Sequence, residues 1–421
     1  MICPDIKSAP RRRTVDGAFA EAMGLAAALP RITVEGGQIV RLARTVPATL
    51  VGTGKLAELG ALFAAEKIDL VLVDGPVTPV QQRNLEKAWK VKILDRMGLI
   101  LEVFADRART REGVLQVELA QLAYQRTRLV RAWTHLERQR GGFGFVGGPG
   151  ETQRESDRRA IDLQLIRLRA QLAEVRKTRQ LHRAARRKVP FPLVAIVGYT
   201  NAGKSTLFNR LTGAEVLAQD MLFATLDPTM RGITLADGRK IIASDTVGFI
   251  SDLPTGLVAA FRATLEEVLE ADLILHVRDI AHEDSAQQAA DVQDILASLG
   301  IKPDVPMIEV WNKADLLHPD QLALLADPAN QRKNCLPVSA LTGAGIAALV
   351  DAISAGLAHA RMAAQLVLPF SAGAARAWLH AHTQVQGEVA SETGWQIDLD
   401  WTGIDAARFA AQFPGITGPQ G

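Results

Sequence analysis

At 421 residues the chain exceeds one ordinary domain and suits two or three of ~100–200 residues each. Its 48% apolar and 22% charged residues exclude an intrinsically disordered protein and supply enough apolar surface for several cores. Two cysteines, Cys3 and Cys335, cannot build a disulfide scaffold, and no run reaches the ~20 apolar residues that span a bilayer, so a cytoplasmic protein, monomeric when free, is expected.

In chain order, residues 1–30 read as a flexible N-terminus: Arg11, Arg12 and Arg13 precede a short apolar stretch that carries Glu21 and lacks a cleavage site. Residues 31–110 alternate apolar runs ("DLVLVD", "VKILD") with helix-like stretches ("GKLAELGALFAAEK", "PVQQRNLEKAWK"), which predicts a small α/β domain. Its "VGTGK" at 51–55 lacks the glycine-to-lysine spacing of a phosphate loop and reads as a turn before a helix.

Over 111–188, Leu115, Leu119, Leu122, Leu129, Trp133 and Leu136 fall on alternating four- and three-residue steps, with Arg126 at the one missing position. After the glycine-rich "GGFGFVGGPGE", Ile161, Leu165, Leu168, Leu172 and Val175 repeat the spacing. An antiparallel helical hairpin with a glycine-rich tip follows. Charge concentrates there: residues 126–188 hold 17 Lys and Arg against 6 Asp and Glu, so the rest of a chain of net charge +2 is acidic. Such a stripe is either a solvated helix face or a nucleic-acid contact.

Residues 189–361 open with "VPFPLVAIVG", a linker and a buried strand. Strands near 193–197, 241–244, 273–277, 307–311 and 335–338 alternate with helical stretches, as in a parallel doubly wound sheet, and Asp237-Gly238 suits a hairpin turn. Residues 362–421 predict a small C-terminal α/β domain without a readable motif; His380 and His382 alone do not make a metal site. The fold class is thus α/β, a P-loop sheet preceded by a small α/β domain and a helical hairpin.

"GYTNAGKST" at 198–206 (Gly198, Tyr199, Thr200, Asn201, Ala202, Gly203, Lys204, Ser205, Thr206) follows a strand and opens a helix, as a phosphate loop must. Backbone N–H groups would curl around phosphates, Lys204 would bridge the terminal ones, and Ser205 would offer an oxygen to Mg²⁺. "FATLDPT" at 223–229 (Phe223, Ala224, Thr225, Leu226, Asp227) offers Thr225 as a second Mg²⁺ ligand, with Thr229 as competitor. "DTVG" (Asp245, Thr246, Val247, Gly248) would set Asp245 near the metal through water and the Gly248 N–H near the γ-phosphate. "NKAD" (Asn312, Lys313, Ala314, Asp315) selects guanine, because the Asp315 carboxylate can accept from N1–H and the exocyclic amine, donors that adenine does not present there. Asn312 would fix the loop, Lys313 would cover the base, and "SAL" (Ser339, Ala340, Leu341) would bring the Ala340 N–H to the guanine oxygen. The expected reaction is Mg²⁺-dependent hydrolysis of GTP to GDP, with Lys204, Thr225 and Gly248 carrying it. Phe249 stands where a water-orienting glutamine is common, so unaided hydrolysis is expected to be slow.

"RARTREGVLQVELAQLAYQRTRL", "WTHLERQRGGFGFVGGPGETQRESDRR" and "VGYTNAGKSTLFNRLT", in this order, resemble the HflX family of ribosome-associated GTPases, over about 94–341. The resemblance implies that the large ribosomal subunit and ribosomal RNA are partners, that the N-terminal part reaches toward the peptidyl transferase region, and that stalled ribosomes are split or rescued under stress. A ribosome-assembly or RNA-remodelling NTPase that also uses ATP, and a switch for a protein partner, are the competing readings. Two positions depart from the family pattern: "GFVGG" lacks an arginine common in the glycine loop, and Arg278 replaces an apolar residue.

Overall fold

In the computed structural model, residues 1–7, 13–137, 149–186, 191–213, 222–223, 225, 228–251, 267–301, 305–318, 320–321, 335–358, 361–414 and 416 are described. The first corrects the reading of 1–30 as a flexible N-terminus. Ile2–Ile6 is a strand (β1), and Val15–Ala27 is a helix (α1) whose Ala22, Leu25 and Ala26 are fully buried. Thr14 caps α1 by accepting from the Gly17 N–H. Strand β1 pairs with β2 (Gln38–Leu42) and β3 (Leu70–Val73), and β3 pairs with β4 (Lys92–Asp95), giving an all-parallel sheet of order β2-β1-β3-β4. Pairing on both sides and burial of Ile2 and Cys3 hold a strand that its own residues announce weakly.

Helices α2 (Thr53–Ala65), α3 (Pro79–Trp89) and α4 (Arg96–Arg107) complete this unit. Gly52, in the "VGTGK" turn, is the N-cap of α2. Helix α3 opens with a capping box, in which Gln81 N–H donates to Thr78 Oγ1 and Thr78 N–H donates to Gln81 Oε1. The hairpin helices are α5 (Arg111–Glu137) and α6 (Pro149–Arg186). Leu115, Leu168 and Leu172 are buried between them, with Leu119, Leu122 and Val175 packed alongside. Arg126, at the gap in the seam, reaches Asp162 of α6 at 2.7 Å. The glycine-rich tip at 138–148, and the side chains of Leu129, Trp133 and Leu136, lie outside the described residues.

The central sheet contains β5 (Leu193–Gly198), β6 (Thr229–Thr234), β7 (Lys240–Asp245), β8 (Leu273–Asp279), β9 (Met307–Asn312) and β10 (Cys335–Pro337), in the order β10-β9-β8-β5-β7-β6. All pairs are parallel except β6 with β7, which Asp237-Gly238 joins as a hairpin. One face carries α7 (Lys204–Thr212) and α9 (Ile346–Ala358), whose Leu207, Phe208, Leu349 and Ile353 pack with Ile196, Leu275 and Val310. On the other, Val197 and Ile274 share one cluster with Val292 and Leu296 of α8 (Ser285–Leu299) and with Leu25 of α1 and Phe104 of α4. The N-terminal unit therefore completes a core of the P-loop unit.

The C-terminal residues form an antiparallel sheet of β11 (Arg361–Leu368), β12 (Gln384–Ala390) and β13 (Trp395–Thr402), in the order β11-β13-β12. Helices α10 (Gly373–His382) and α11 (Gly403–Gln412) bury Leu379 and Phe409 against Leu366, Leu368, Ile397 and Leu399. His380 faces Glu388 at 3.1 Å, whereas His382 stacks on Trp378, so the two histidines do not converge. Among the described residues no group of three or more His, Cys, Asp or Glu side chains converges as a metal site, and no helix is long and apolar enough to cross a membrane.

Candidate nucleotide site

The site stands at the carboxyl ends of β5, β7, β8 and β9, where an open α/β sheet receives its ligands. Strand β5 delivers the chain into the loop at Gly198, and helix α7 begins six residues later at Lys204. Gly203 precedes it with φ 88°, and a Cβ there would lie 2.2 Å from Asn312 Nδ2, so both backbone and space require glycine. No side chain caps α7, which leaves its first N–H groups and dipole turned toward an incoming anion. Lys204 is buried, and its Nζ donates to Tyr199 O at 2.8 Å. Burial pushes its ammonium down to about 8, partly offset by Asp245.

Three oxygens gather beside Lys204. Ser205 Oγ donates to Asp245 Oδ2 at 2.7 Å, Thr225 Oγ1 donates to the same atom at 3.0 Å, and the two hydroxyls lie 2.9 Å apart. Asp245 is fully buried; burial raises its pKa, the Ser205 hydrogen bond and Lys204 work against that, and Oδ1 has no hydrogen-bond partner among the described residues. This all-oxygen set with an unsatisfied carboxylate oxygen fits a hard divalent cation such as Mg²⁺. Thr225 belongs to it, whereas Thr229 begins β6. Ala224, Leu226 and Asp227 lie outside the described residues.

The "DTVG" stretch is held by its own buried bonds: Thr246 Oγ1 donates to Ile196 O at 2.7 Å, and Val247 enters the core. A Cβ on Gly248 would lie 2.8 Å from Thr200 Cα and 3.0 Å from Lys204 Nζ, so only glycine approaches the loop this closely. Phe249 N–H donates to Gly198 O at 3.1 Å, and Thr200 N–H donates to Phe249 O at 2.6 Å. The Phe249 side chain is buried in the cluster shared with α1 and α4. Thr200 Oγ1 accepts from Phe223 N–H at 3.0 Å, and Phe223 meets Phe104 edge-on at 4.6 Å.

The loops beyond β9 and β10 form the other half. Asn312, buried at the end of β9, donates from Nδ2 to Ala202 O at 2.8 Å and accepts at Oδ1 from Ala340 N–H at 3.0 Å. One side chain thus ties the phosphate loop to "SAL". The Ala340 N–H expected to face a base is engaged by Asn312. Lys313 adopts φ 62° and pairs with Asp279 at 2.7 Å. Asp315 is exposed on a 3₁₀ turn at Ala314–Leu316. Ser339 is buried and accepts from Thr342 N–H at 3.0 Å, while Leu341 is 72% exposed. Sequence reasoning missed Arg210 of α7, which donates from Nε to Ala340 O at 3.1 Å and from Nη2 to Leu341 O. It also missed Asp279, whose place at the end of β8 in "HVRD" was a usable signal. Arg278 is accounted for by Glu309 on the neighbouring strand, 2.8 Å away.

Four family profiles match the chain: "GTP-binding GTPase N-terminal" at 17–105, "GTP-binding GTPase Middle Region" at 107–186, "50S ribosome-binding GTPase" at 193–313 and "HflX C-terminal domain" at 324–416. The GTPase HflX of Magnetococcus marinus is 49% identical over 354 residues, covering 84% of this chain and 81% of that protein. The GTPase HflX of Escherichia coli K12 is 44% identical over 386 residues, covering 91% and 90%. A solved complex of SsGBP with GDP aligns at a TM-score of 0.49 and 23% identity, covering 84% of this chain and 97% of that one.

Proposed function

The chain belongs to the HflX family of GTPases, and from that premise we propose that it hydrolyses GTP on the large ribosomal subunit to split or rescue stalled ribosomes under stress. It is a GTP-binding enzyme that converts GTP to GDP and phosphate. The observation that carries the ribosomal part is the arginine-rich hairpin, where Arg158, Arg159, Arg167 and Arg169 of α6 are all exposed. Cations fixed on a helix suit RNA phosphates, whose counterions they release. The profile that covers the phosphate loop and the 245–248 segment is described as a ribosome-binding GTPase, in agreement with this reading.

In this reading the backbone of 198–206 cradles the phosphates and the Lys204 ammonium lies against the terminal ones. Ser205 and Thr225 would hold Mg²⁺, with Asp245 acting through water; the ion, when bound, offsets charge on the phosphate oxygens. The Gly248 N–H would meet the γ-phosphate, Asp315 would accept from guanine, and Lys313 would lie along the base. Water attacks the γ-phosphorus, the bond to the β–γ bridging oxygen breaks, and GDP leaves. Phe249 is buried in the core, so no side chain at that position aligns the water. Large ribosomal subunits should therefore accelerate single-turnover hydrolysis strongly. Equal rates with and without saturating subunits would refute this dependence, and failure to sediment with subunits in a non-hydrolysable GTP analogue would refute the partner.

A further inference from the structure

We propose that the Tyr199 hydroxyl is a positioning group for hydrolysis: it holds the 248–251 backbone in register with the phosphate loop, and Glu21 and Arg96 of the N-terminal unit fix its direction. The proposal rests only on GTP hydrolysis, not on the ribosomal reading. Tyr199 is the second residue of the phosphate loop, yet its side chain turns away from the phosphate side into the contact with α1 and α4. There its hydroxyl donates to Glu21 Oε2 and accepts from the Ser251 N–H at 2.8 Å. Ser251 Oγ lies 2.8 Å from the same hydroxyl and donates to Asp291 Oδ2 of α8 at 2.5 Å.

Both backbone groups of Ser251 are held in this way, because its carbonyl accepts from Arg96 Nη2 at 3.1 Å. Arg96 is itself buried and paired twice, with Glu21 at 2.5 Å and with Asp74 at 2.6 Å, at the carboxyl end of β3. Burial opposes its charge, and Asp74 and Glu21 outweigh burial, so it remains a guanidinium. Arg13 adds a second cation on Glu21 at 2.5 Å. With two guanidiniums on Glu21 Oε1, Oε2 is left to orient the tyrosine. Burial, reinforced by Glu21, raises the Tyr199 pKa well above its ordinary value, which keeps the hydroxyl a neutral donor.

The consequence falls on Gly248. Two residues, Phe249 and Ile250, separate it from Ser251, and Phe249 is bonded at N–H to Gly198 and at C=O to Thr200. The chain from Gly248 to Ser251 is thus fastened to the phosphate loop at Gly198, Tyr199 and Thr200 in succession. The Tyr199 bond is the one fastening that also depends on another unit of the protein. Loss of that hydroxyl leaves the Ser251 N–H buried without its acceptor and loosens the far end of the segment, while the backbone cradle for phosphates is untouched.

Tyr199→Phe keeps the ring and removes the bond, and the full-length variant is the test. Single-turnover hydrolysis should fall about tenfold, while GDP affinity and KM stay within about twofold of the parent. Glu21→Gln should lower the same rate by less, and the double variant should be no slower than Tyr199→Phe alone, because both act through one bond. An unchanged or faster rate in Tyr199→Phe would overturn the proposal, as would equal losses in rate and GDP affinity or additive effects in the double variant. Should Tyr199→Phe fail to fold, the same split between rate and affinity in Glu21→Gln decides the matter.

Discussion

The phosphate half and the base half of the site are built differently. At the phosphate half, Lys204, Asp245, Thr246 and Phe249 are all buried, and Tyr199, Val247 and Phe249 enter a core that the N-terminal unit completes. At the base half, Asp315 and Leu341 are exposed, and the loops are tied by a few local bonds from Asn312, Ser339 and Arg210. Geometry at the first half therefore depends on distant parts of the chain, whereas selectivity at the second is a local matter of a few loop atoms. Damage to the first should spread, and damage to the second should stay specific.

The sharpest separation comes from Lys204→Ala, which we expect to reduce hydrolysis below detection with or without ribosomal subunits, because in the proposed reading its buried ammonium is the cation that meets the terminal phosphates. A residual subunit-stimulated rate in single-turnover assays would show that the phosphate half is less dependent on this residue than its geometry implies.

The claim that damage spreads can be broken with two phenylalanines of equal burial. Phe104 of α4 lies in the cluster shared with Phe223 and Phe249, and Phe409 lies in the separate C-terminal core. Each alanine substitution should cost about 3–5 kcal/mol of stability in its own core, read by thermal unfolding. Only Phe104→Ala should also slow hydrolysis; an equal effect of Phe409→Ala would mean that the shared core has no special hold on the site.

What the residues announced and what they did not divides along the same line. The motifs at 198–206, 245–248 and 312–315 were legible because phosphate, metal and base contacts each demand particular residue types at fixed spacing. The parallel strands of the central sheet followed from apolar runs, and the Asp-Gly turn marked a hairpin, but the antiparallel strand β6, a polar Thr229–Thr234 at the sheet edge, was not among the expected strands. Strand β1 was not legible: "ICPDI" is five residues with a proline and an aspartate, an arginine run follows, and only pairing with β2 and β3 makes it a strand. Nor was the contact of Tyr199 with Glu21, since 178 residues separate them and neither belongs to a pattern that the other completes. Tertiary packing alone brings such pairs together.

At the base half, Asp315→Asn should weaken GTP by about 1–3 kcal/mol and favour xanthine nucleotides, because the new amide offers a donor where guanine also offers one. Hydrolysis of bound xanthosine triphosphate should then approach the parent rate for GTP, since nothing at the phosphate half has moved. Competition binding that still prefers guanine would remove Asp315 from base selection.

The smallest effect is one of pH, and it returns to Lys204. Burial lowers its pKa from the ordinary 10.5 to about 8, with Asp245 offsetting part of the shift. Below about pH 8 both folded and unfolded chains hold the proton, so folding there carries the full cost of burying the charge. Between about 8 and 10.5 the unfolded chain holds more of it, so this contribution to stability improves as pH rises. Nucleotide binding has the opposite sign. Phosphates favour the ammonium and raise its pKa, so binding takes up a proton above pH ~8 and weakens by up to about tenfold per pH unit. Calorimetric titration with GDP in buffers of different ionisation enthalpy should show proton uptake that grows from pH ~7 to pH ~9. Uptake that stays flat over that range would mean that Lys204 keeps its proton without nucleotide, and that the phosphate half is less desolvated than its burial implies.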